Sequence, residues 1–198
     1  MDRALVVLLS FVWLGYEIVA QVAGQRRLTS AGGAGANPDE GRGADRGSLI
    51  LLYVAISVGF SVAFTLSFVP FGRLPAGQPV WLIVGGAIAV AGLAVRISAK
   101  RSLARQFTYQ VQILPGHELV ERGLYRRIRH PAYLGQLVIL AGAGIALGSW
   151  LSIVALLTLA GAAFAWRMHV EEAALRSRFP VEYPAYCART RRLIPRLH

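Results

Sequence analysis

The chain has one cysteine, Cys187, in 198 residues. That excludes an intrachain disulfide and a cysteine-based metal cluster. Acidic residues are also scarce, ten Asp and Glu against 21 Lys and Arg, for a formal charge of +11. Charged residues of both signs make up only 16% of the chain, whereas 55% are hydrophobic. This is too apolar for an ordinary soluble domain and suits a small integral membrane protein. The basic excess changes meaning accordingly. No nucleic-acid module pattern accompanies it, and Lys and Arg collect on the cytoplasmic side of membrane proteins. No Gly-x-Ser-x-Gly elbow, no HExxH segment and no Gly-rich dinucleotide loop after a strand occurs. His117, His130, His169 and His198 show no metal-ligand spacing, so no metal is expected. A nucleotide-like cofactor needs a non-Rossmann site. The apolar N-terminus lacks a clean small-residue cleavage site and reads as a retained helix.

Five apolar runs are present. Ala4 to Val22 approaches the roughly 20 residues that a helical span takes. Glu17 interrupts it near its end, as a functional group or a snorkelling interfacial one. Residues 24–47, rich in Gly, Ala, Arg and Asp, cannot bury a core and read as a flexible loop. Leu49 to Val69 is a second span. Pro70, Gly72, Pro75, Gly77 and Pro79 form a turn. Val80 to Ile97 is a third span, in which Gly85, Gly86 and Gly92 allow close helix approach. Ser98 to Gln106 continues that helix past the membrane surface. Phe107 to Ile113 reads as an extended arm, ended by Pro115-Gly116. Tyr133–Leu147 and Trp150–Ala165 are split by Gly148-Ser149 and short for spans, which predicts a tight helical hairpin. Gly142, Gly144, Gly148 and Gly161 would let its arms pack closely.

The expected fold is an all-α integral membrane protein with five transmembrane helices, the last two a hairpin, and a cytosolic cofactor-binding region. Three helices and the 24–47 loop occupy 1–97. A connector, the hairpin over 133–165 and a cytosolic C-terminal segment occupy 98–198. Charge orients it. Only Arg3 and Arg73 of the 21 Lys and Arg lie on one side of this topology. That puts the N-terminus outside and the C-terminus in the cytosol. Gly-rich helix faces leave the oligomeric state open.

Two polar segments carry the candidate chemistry. The first is LVERGLYRRIRHPAYLG, Leu119 to Gly135. Pro131 suits the first turn of a helix, where its missing N–H costs nothing. One reading is a simple helix start with Arg126, Arg127 and Arg129 on lipid phosphates. The other is that free N–H groups at this helix start, with His130 and Tyr133, face a polar ligand. The second segment runs from Trp166 and contains Arg167, Glu171 and Glu172. Arg167 and Glu171 are four apart and share a helix face. They form either a surface ion pair or a site in which Arg167 forks onto a carboxylate or phosphate. Glu182, Tyr183 and Tyr186 follow, and Glu182 reads as part of a solvated amphipathic helix.

The C-terminal half resembles the isoprenylcysteine carboxyl methyltransferase family and its relatives among phospholipid methyltransferases. The pieces that carry the resemblance are His117-Glu118-Leu119-Val120, Gly123-Leu124-Tyr125, Arg129-His130-Pro131-x-Tyr133-x-Gly135, Arg167, Glu171-Glu172, Phe179, Glu182-Tyr183, Tyr186 and Arg192-x-Ile194-Pro195. It implies an integral membrane enzyme that uses S-adenosyl-L-methionine. It implies a cofactor pocket made by His117, Glu118, Leu119, Val120, Tyr125, His130, Pro131 and Tyr133, with Gln106 as a further contact. It also implies lateral entry of a lipid or prenylated substrate. Arg167 and Glu171 are then the catalytic pair facing the methyl acceptor, with Glu172 a further acceptor contact. One departure is Leu103-Ala104-Arg105-Gln106-Phe107-Thr108, where Phe107 stands for the Trp that relatives often carry.

The chemistry is consistent with that resemblance. Aromatic faces such as Tyr125 or Tyr133 stabilise a sulfonium cation. A carboxylate acceptor needs no general base, so positioning and exclusion of water supply most of the rate. A phenol or amine acceptor needs one, and Glu171 or His130 is the candidate. Two rivals stand beside this reading. Membrane sterol and isoprenoid reductases share an Arg-His-Pro-x-Tyr-x-Gly-like segment and use NADPH, but usually have more spans and a later Asp-Glu…Cys pattern. A non-catalytic membrane interaction protein is the other.

Overall fold

The computed structural model describes residues 8, 12, 15, 19, 47–75, 77–103 and 119–194. Leu8, Val12, Gly15 and Val19 are helical, within the expected first span. Glu17, residues 24–46 and the 107–113 arm lie outside the described residues. The elements that follow are α1 (Ser48–Leu66), a 3₁₀ turn at Pro70–Gly72, α2 (Gln78–Leu103), a 3₁₀ turn at Gly123–Arg126, α3 (Pro131–Ala146), α4 (Trp150–Arg178) and α5 (Glu182–Arg189). Among the described residues there is no strand, and only two isolated bridges occur, Arg73–Ser149 and Ile128–Arg191.

Helices α1, α2 and α4 are each long and apolar enough to cross a membrane, and α3 is a shorter apolar helix of 16 residues. At about 1.5 Å per residue α3 is roughly 24 Å long, short of the ~30 Å hydrocarbon layer. Pro131 occupies its first turn, as its fixed φ and missing N–H favour. Helix α4 starts at Ser149, whose side chain accepts from Ser152 N. It runs on past Ala165, where the apolar stretch ends, and so carries Arg167 and Glu171 on the same helix. No Gly or Pro intervenes between Gly161 and Pro180, so nothing stops the helix where its polarity changes.

Four helices pack in the spatial order α2, α3, α4, α1, each antiparallel to the next. The hairpin expected of α3 and α4 is present, but its arms touch each other less than they touch their outer partners. Helix α3 packs most extensively on α2, and α4 on α1. The reason lies in the glycines. A Cβ on Gly92 would stand 2.7 Å from Gly135 O, one on Gly135 2.7 Å from Gly92 O, and one on Gly142 2.5 Å from Gly85 O. These are backbone contacts that only glycine permits, and apolar lipid offers no hydrophobic drive to substitute for such packing. Gly142, assigned above to the hairpin seam, thus faces α2. Gly144 does face the other arm, 2.8 Å from Ile153 Cα by the same measure. Gly86 and Gly161 have nothing within 4 Å and mediate no close approach. Gly148 takes φ 69° in the α3–α4 turn.

The α1–α4 seam carries a buried hydrogen bond from Ser152 Oγ to Ala63 O at 2.6 Å. Apolar residues of three helices, including Phe60, Leu140, Leu156 and Phe164, form the core. At one end of the bundle the α1–α2 connection lies on the α3–α4 turn. Leu74 N donates to Gly148 O at 2.9 Å, and Gln78 Nε2 to Ala146 O at 2.6 Å. The opposite end holds the polar residues.

Candidate functional site

Because α3 is short, α2 and α4 continue past its start, and the notch above Pro131 is filled by the chain around it. The segment after α5 returns to pair with the segment before α3. Arg129 N donates to Arg191 O at 2.7 Å, His130 N to Arg192 O at 3.1 Å and Arg191 N to Arg127 O at 2.9 Å. Tyr186 Oη donates to Tyr125 O at 2.7 Å, and burial pushes the Tyr186 phenol pKa up. The exposed Arg189 and Glu121 pair across the same junction.

Under this strap sits a cluster drawn from α3 and α4. His130 and Tyr133 stack with ring centroids 5.4 Å apart and planes within 8°. His130 Nε2 lies 3.2 Å from Glu172 Oε1 and Nδ1 lies 3.6 Å from Glu171 Oε2. Tyr133 Oη donates to Glu171 Oε2 at 2.8 Å and accepts from Arg167 Nε at 3.0 Å. Arg167 Nη1 donates to Ser48 Oγ at 3.0 Å. Arg167 and Glu171 are therefore linked through the Tyr133 phenol, a connection that a shared helix face does not reveal.

Glu172 turns the other way. Arg129 Nε donates to its Oε1 at 3.3 Å, and Arg192 donates through Nε at 3.1 Å and Nη2 at 2.5 Å. These hydrogen bonds raise the Arg192 pKa above its ordinary value. Arg129 also donates to Thr190 O at 2.7 Å and Cys187 O at 3.2 Å. Arg129 is thus a strut between the strap and α4, and the reading that set it on lipid phosphates is corrected. Arg126 and Arg127 are exposed.

Exposure divides the cluster. The side chains of His130 and Glu172 are 3% and 4% exposed, whereas that of Glu171 is 34% exposed. Glu171 is the carboxylate open to a ligand, and Glu172 is enclosed by cations. Arg129, Arg167 and Arg192 against Glu171 and Glu172 leave one positive charge in excess before His130 is counted, a field that favours an anion. The helix start offers less than its sequence promises. Pro131 has no N–H, His130 gives its N–H to Arg192 O, and Tyr133 and Leu134 both give theirs to His130 O. At most the Ala132 N–H is left for a ligand, so a set of free N–H groups is not available there.

Of the other expected pocket residues, Tyr125 is buried with Ala99 and Ala132, and Val120 packs against them. Burial, with the Glu171 carboxylate nearby, pushes the Tyr125 phenol pKa up. Leu119 is half-buried and Pro131 fully buried. Gln106, His117 and Glu118 lie outside the described residues. Glu182 is exposed at the start of α5 while Tyr183 and Tyr186 are buried, the amphipathic arrangement expected. The sequence offered no signal for Ser48. Gln136, one turn along α3 from Tyr133, is also buried, with its Oε1 unpartnered among the described residues.

Breaking the Glu172 node should destabilise the protein. Glu172→Gln removes the charge that Arg129 and Arg192 share, and severing a buried ion pair costs about 3–5 kcal/mol. Arg192→Ala should cost less, because the Arg192 side chain is 45% exposed and water replaces part of what is lost. Thermal unfolding in detergent should therefore rank Glu172→Gln below Arg192→Ala. The reverse order would remove Glu172 from the centre of the strap.

Comparison with known proteins bears on the same residues. Residues 83–177 match the isoprenylcysteine carboxyl methyltransferase (ICMT) family. Proteins of Oryza sativa subsp. indica and subsp. japonica, each a "Probable protein-S-isoprenylcysteine O-methyltransferase", are 31% identical over 125 residues, 61% of this chain and 65% of theirs. Protein-S-isoprenylcysteine O-methyltransferase A of Arabidopsis thaliana is 34% identical over 99 residues, 49% of this chain and 50% of its own. The chain spans just under two thirds of the length of the rice relatives. The solved structure of the eukaryotic intramembrane Ras methyltransferase ICMT shares the fold, with TM-score 0.52 and 21% identity over 82% of this chain and 54% of that one. The matched stretch, residues 83–177, includes His130, Tyr133, Arg167, Glu171 and Glu172, so the cluster lies within the part of the chain that is similar to the isoprenylcysteine carboxyl methyltransferase family.

Proposed function

We propose that this chain is a multi-pass membrane methyltransferase that takes S-adenosyl-L-methionine as methyl donor and a lipophilic, isoprenylcysteine-type carboxylate as acceptor. The observation that carries this reading is the part-buried relay from Arg167 through Tyr133 to Glu171, beside His130. It lies in the family segment and carries excess positive charge.

Five transmembrane helices satisfy the charge distribution, with the polar end in the cytosol and the N-terminus outside. Arg73 lies at the α3–α4 turn, while Arg129 and Arg192, among the described basic residues after Val95, lie at the other end. The 98–198 region then forms the catalytic half, and 1–97 the supporting helices.

The residues present fit the proposed cofactor. The Tyr133 ring and the buried Tyr125 offer π faces to a cation, and Glu171 is open enough to meet an ammonium or a ribose hydroxyl. When bound, S-adenosylmethionine supplies an electrophilic methyl on sulfur. Arg167 holds the acceptor carboxylate by charge-assisted hydrogen bonds, and its own orientation is set by Tyr133. No proton need be removed from a carboxylate, so this chain's contribution is alignment and exclusion of water. Glu171 is the base for an acceptor that does carry a proton. Glu172 is the anchor of the strap. A prenylated protein or free lipid presenting such a carboxylate is the proposed substrate.

The test is calorimetric titration of purified protein in nanodiscs with S-adenosylhomocysteine and, separately, NADPH. Saturable binding of the first alone is expected. His130→Ala should weaken it about tenfold or more, the loss of one charge-assisted hydrogen bond together with the stack on Tyr133. Binding of NADPH alone would replace this reading with a membrane reductase.

A further inference from the structure

We propose that Ser48, in the first turn of α1, is a positioning residue for methyl transfer, acting through Arg167. The inference rests on the function proposed above and extends it outside the family segment. Residues 83–177 contain Arg167, Tyr133 and Glu171 but not α1.

Ser48 is fully buried, and Arg167 is 3% exposed. Among the described residues, two helices hold the Arg167 guanidinium. Nε donates to Tyr133 Oη on α3, and Nη1 donates to Ser48 Oγ on α1, both at 3.0 Å. A serine at a helix start usually serves as the N-cap and accepts from the helix's own amides. Here the cap position is Gly47, in the left-handed region at φ 70°, which has no side chain to cap α1. The left-handed backbone, which glycine adopts without strain, displaces the serine by one position. Its hydroxyl then points across the α1–α4 seam to the guanidinium.

A flexible guanidinium held at one nitrogen can still swing about that contact. Held at two, on two different helices, it presents a fixed fork to the acceptor. The α1–α4 seam keeps this second grip in register. Lower on the same pair of helices, Ser152 Oγ donates to Ala63 O at 2.6 Å, and a Cβ on Gly59 would rest 3.5 Å from Leu156. Ser152 provides an internal control. It too is a fully buried serine hydroxyl bonded across the α1–α4 seam, but it lies far from Arg167.

The experiment compares Ser48→Ala with Ser152→Ala in full-length protein reconstituted in nanodiscs. The probes are S-adenosylmethionine and a synthetic farnesylcysteine analogue with a free carboxylate. Ser48→Ala should lower kcat about tenfold and raise KM for the acceptor, within the ~100-fold that a misplacement of about 1 Å produces. Affinity for S-adenosylhomocysteine should be unchanged. Ser152→Ala should lower the unfolding temperature at least as much and leave kcat and both affinities alone. In an Arg167→Lys background, Ser48→Ala should cost little further activity, because the two changes act on one group.

An unchanged kcat in Ser48→Ala, an equal fall in Ser152→Ala, or full additivity with Arg167→Lys would each overturn the inference. If the alanine variant does not fold, Ser48→Cys keeps the volume and offers only a weak sulfur acceptor, with the same fall in kcat expected. Wild-type protein that binds S-adenosylhomocysteine but methylates no carboxylate would refute the acceptor reading, and this inference with it. Wild-type activity with an unaffected Ser48→Ala would refute the inference alone.

Discussion

Arg167→Ala should reduce methyl transfer by ~100- to 1,000-fold while S-adenosylhomocysteine still binds. Removing one preorganised charged donor from a reacting group costs about that much. The prediction separates two tasks that the cluster combines. Arg167 donates to the Tyr133 phenol and, on α1, to Ser48, whereas His130 meets the Tyr133 ring by stacking. Under the proposed function the truncation removes the acceptor's counter-charge, and the His130–Tyr133 stack, which Arg167 does not form, should persist. Two measurements decide the outcome: steady-state turnover on a carboxylate-bearing prenylcysteine analogue, and calorimetry with the demethylated cofactor. Loss of cofactor affinity in step with turnover would reassign Arg167 to the cofactor. Retention of turnover would remove it from the mechanism.

Gly135→Leu should abolish recovery of folded protein. A Cβ at this position would stand 2.7 Å from two backbone atoms of α2, Gly92 O and Arg96 N. Neither can move aside unless α2 and α3 separate, so overpacking here costs about 3 kcal/mol or more. The same separation would break the Arg96 hydrogen bond to Ala132 O and shift the start of α3, where His130 lies. Gly161→Leu is the matched control, because that position has nothing within 4 Å. Size-exclusion profiles of detergent extracts should show aggregate for the first variant and a monodisperse peak for the second. A monodisperse Gly135→Leu would mean that α2 and α3 can part without loss of the fold.

Much of the site was legible before any coordinates. Pro131 marks a helix start, and the i, i+4 spacing of Arg167 and Glu171 marks one face of another helix. The resemblance in the surrounding motifs joins the two segments, and α3 and α4 do bring His130, Tyr133, Arg167, Glu171 and Glu172 together. Partner choice was not legible. Gly142 announces close approach to some helix, but a missing side chain carries no address, and the partner proved to be α2. Glu171 and Glu172 are indistinguishable as adjacent carboxylates. Only the placement of Arg129 and Arg192 encloses one and leaves the other open. Ser48 stands 119 residues from Arg167, at the edge of a Gly-rich loop that gives no periodic signal. The apolar run to Ala165 and the Arg167–Glu171 face prove to be one continuous helix, because helix geometry continues past the end of the apolar surface until a breaker intervenes.

The strap has a consequence for biogenesis. Chains are made and inserted in order, and N-terminal units fold first. Glu172 leaves the ribosome before Arg192, which closes its ion pair, and α3 is made before the Arg191 and Arg192 carbonyls that take the Arg129 and His130 amides. During that interval the nascent bundle carries a carboxylate with only part of its counter-charge. The polar end can therefore close only once the 190–192 segment is available, after all four helices of the bundle have been made.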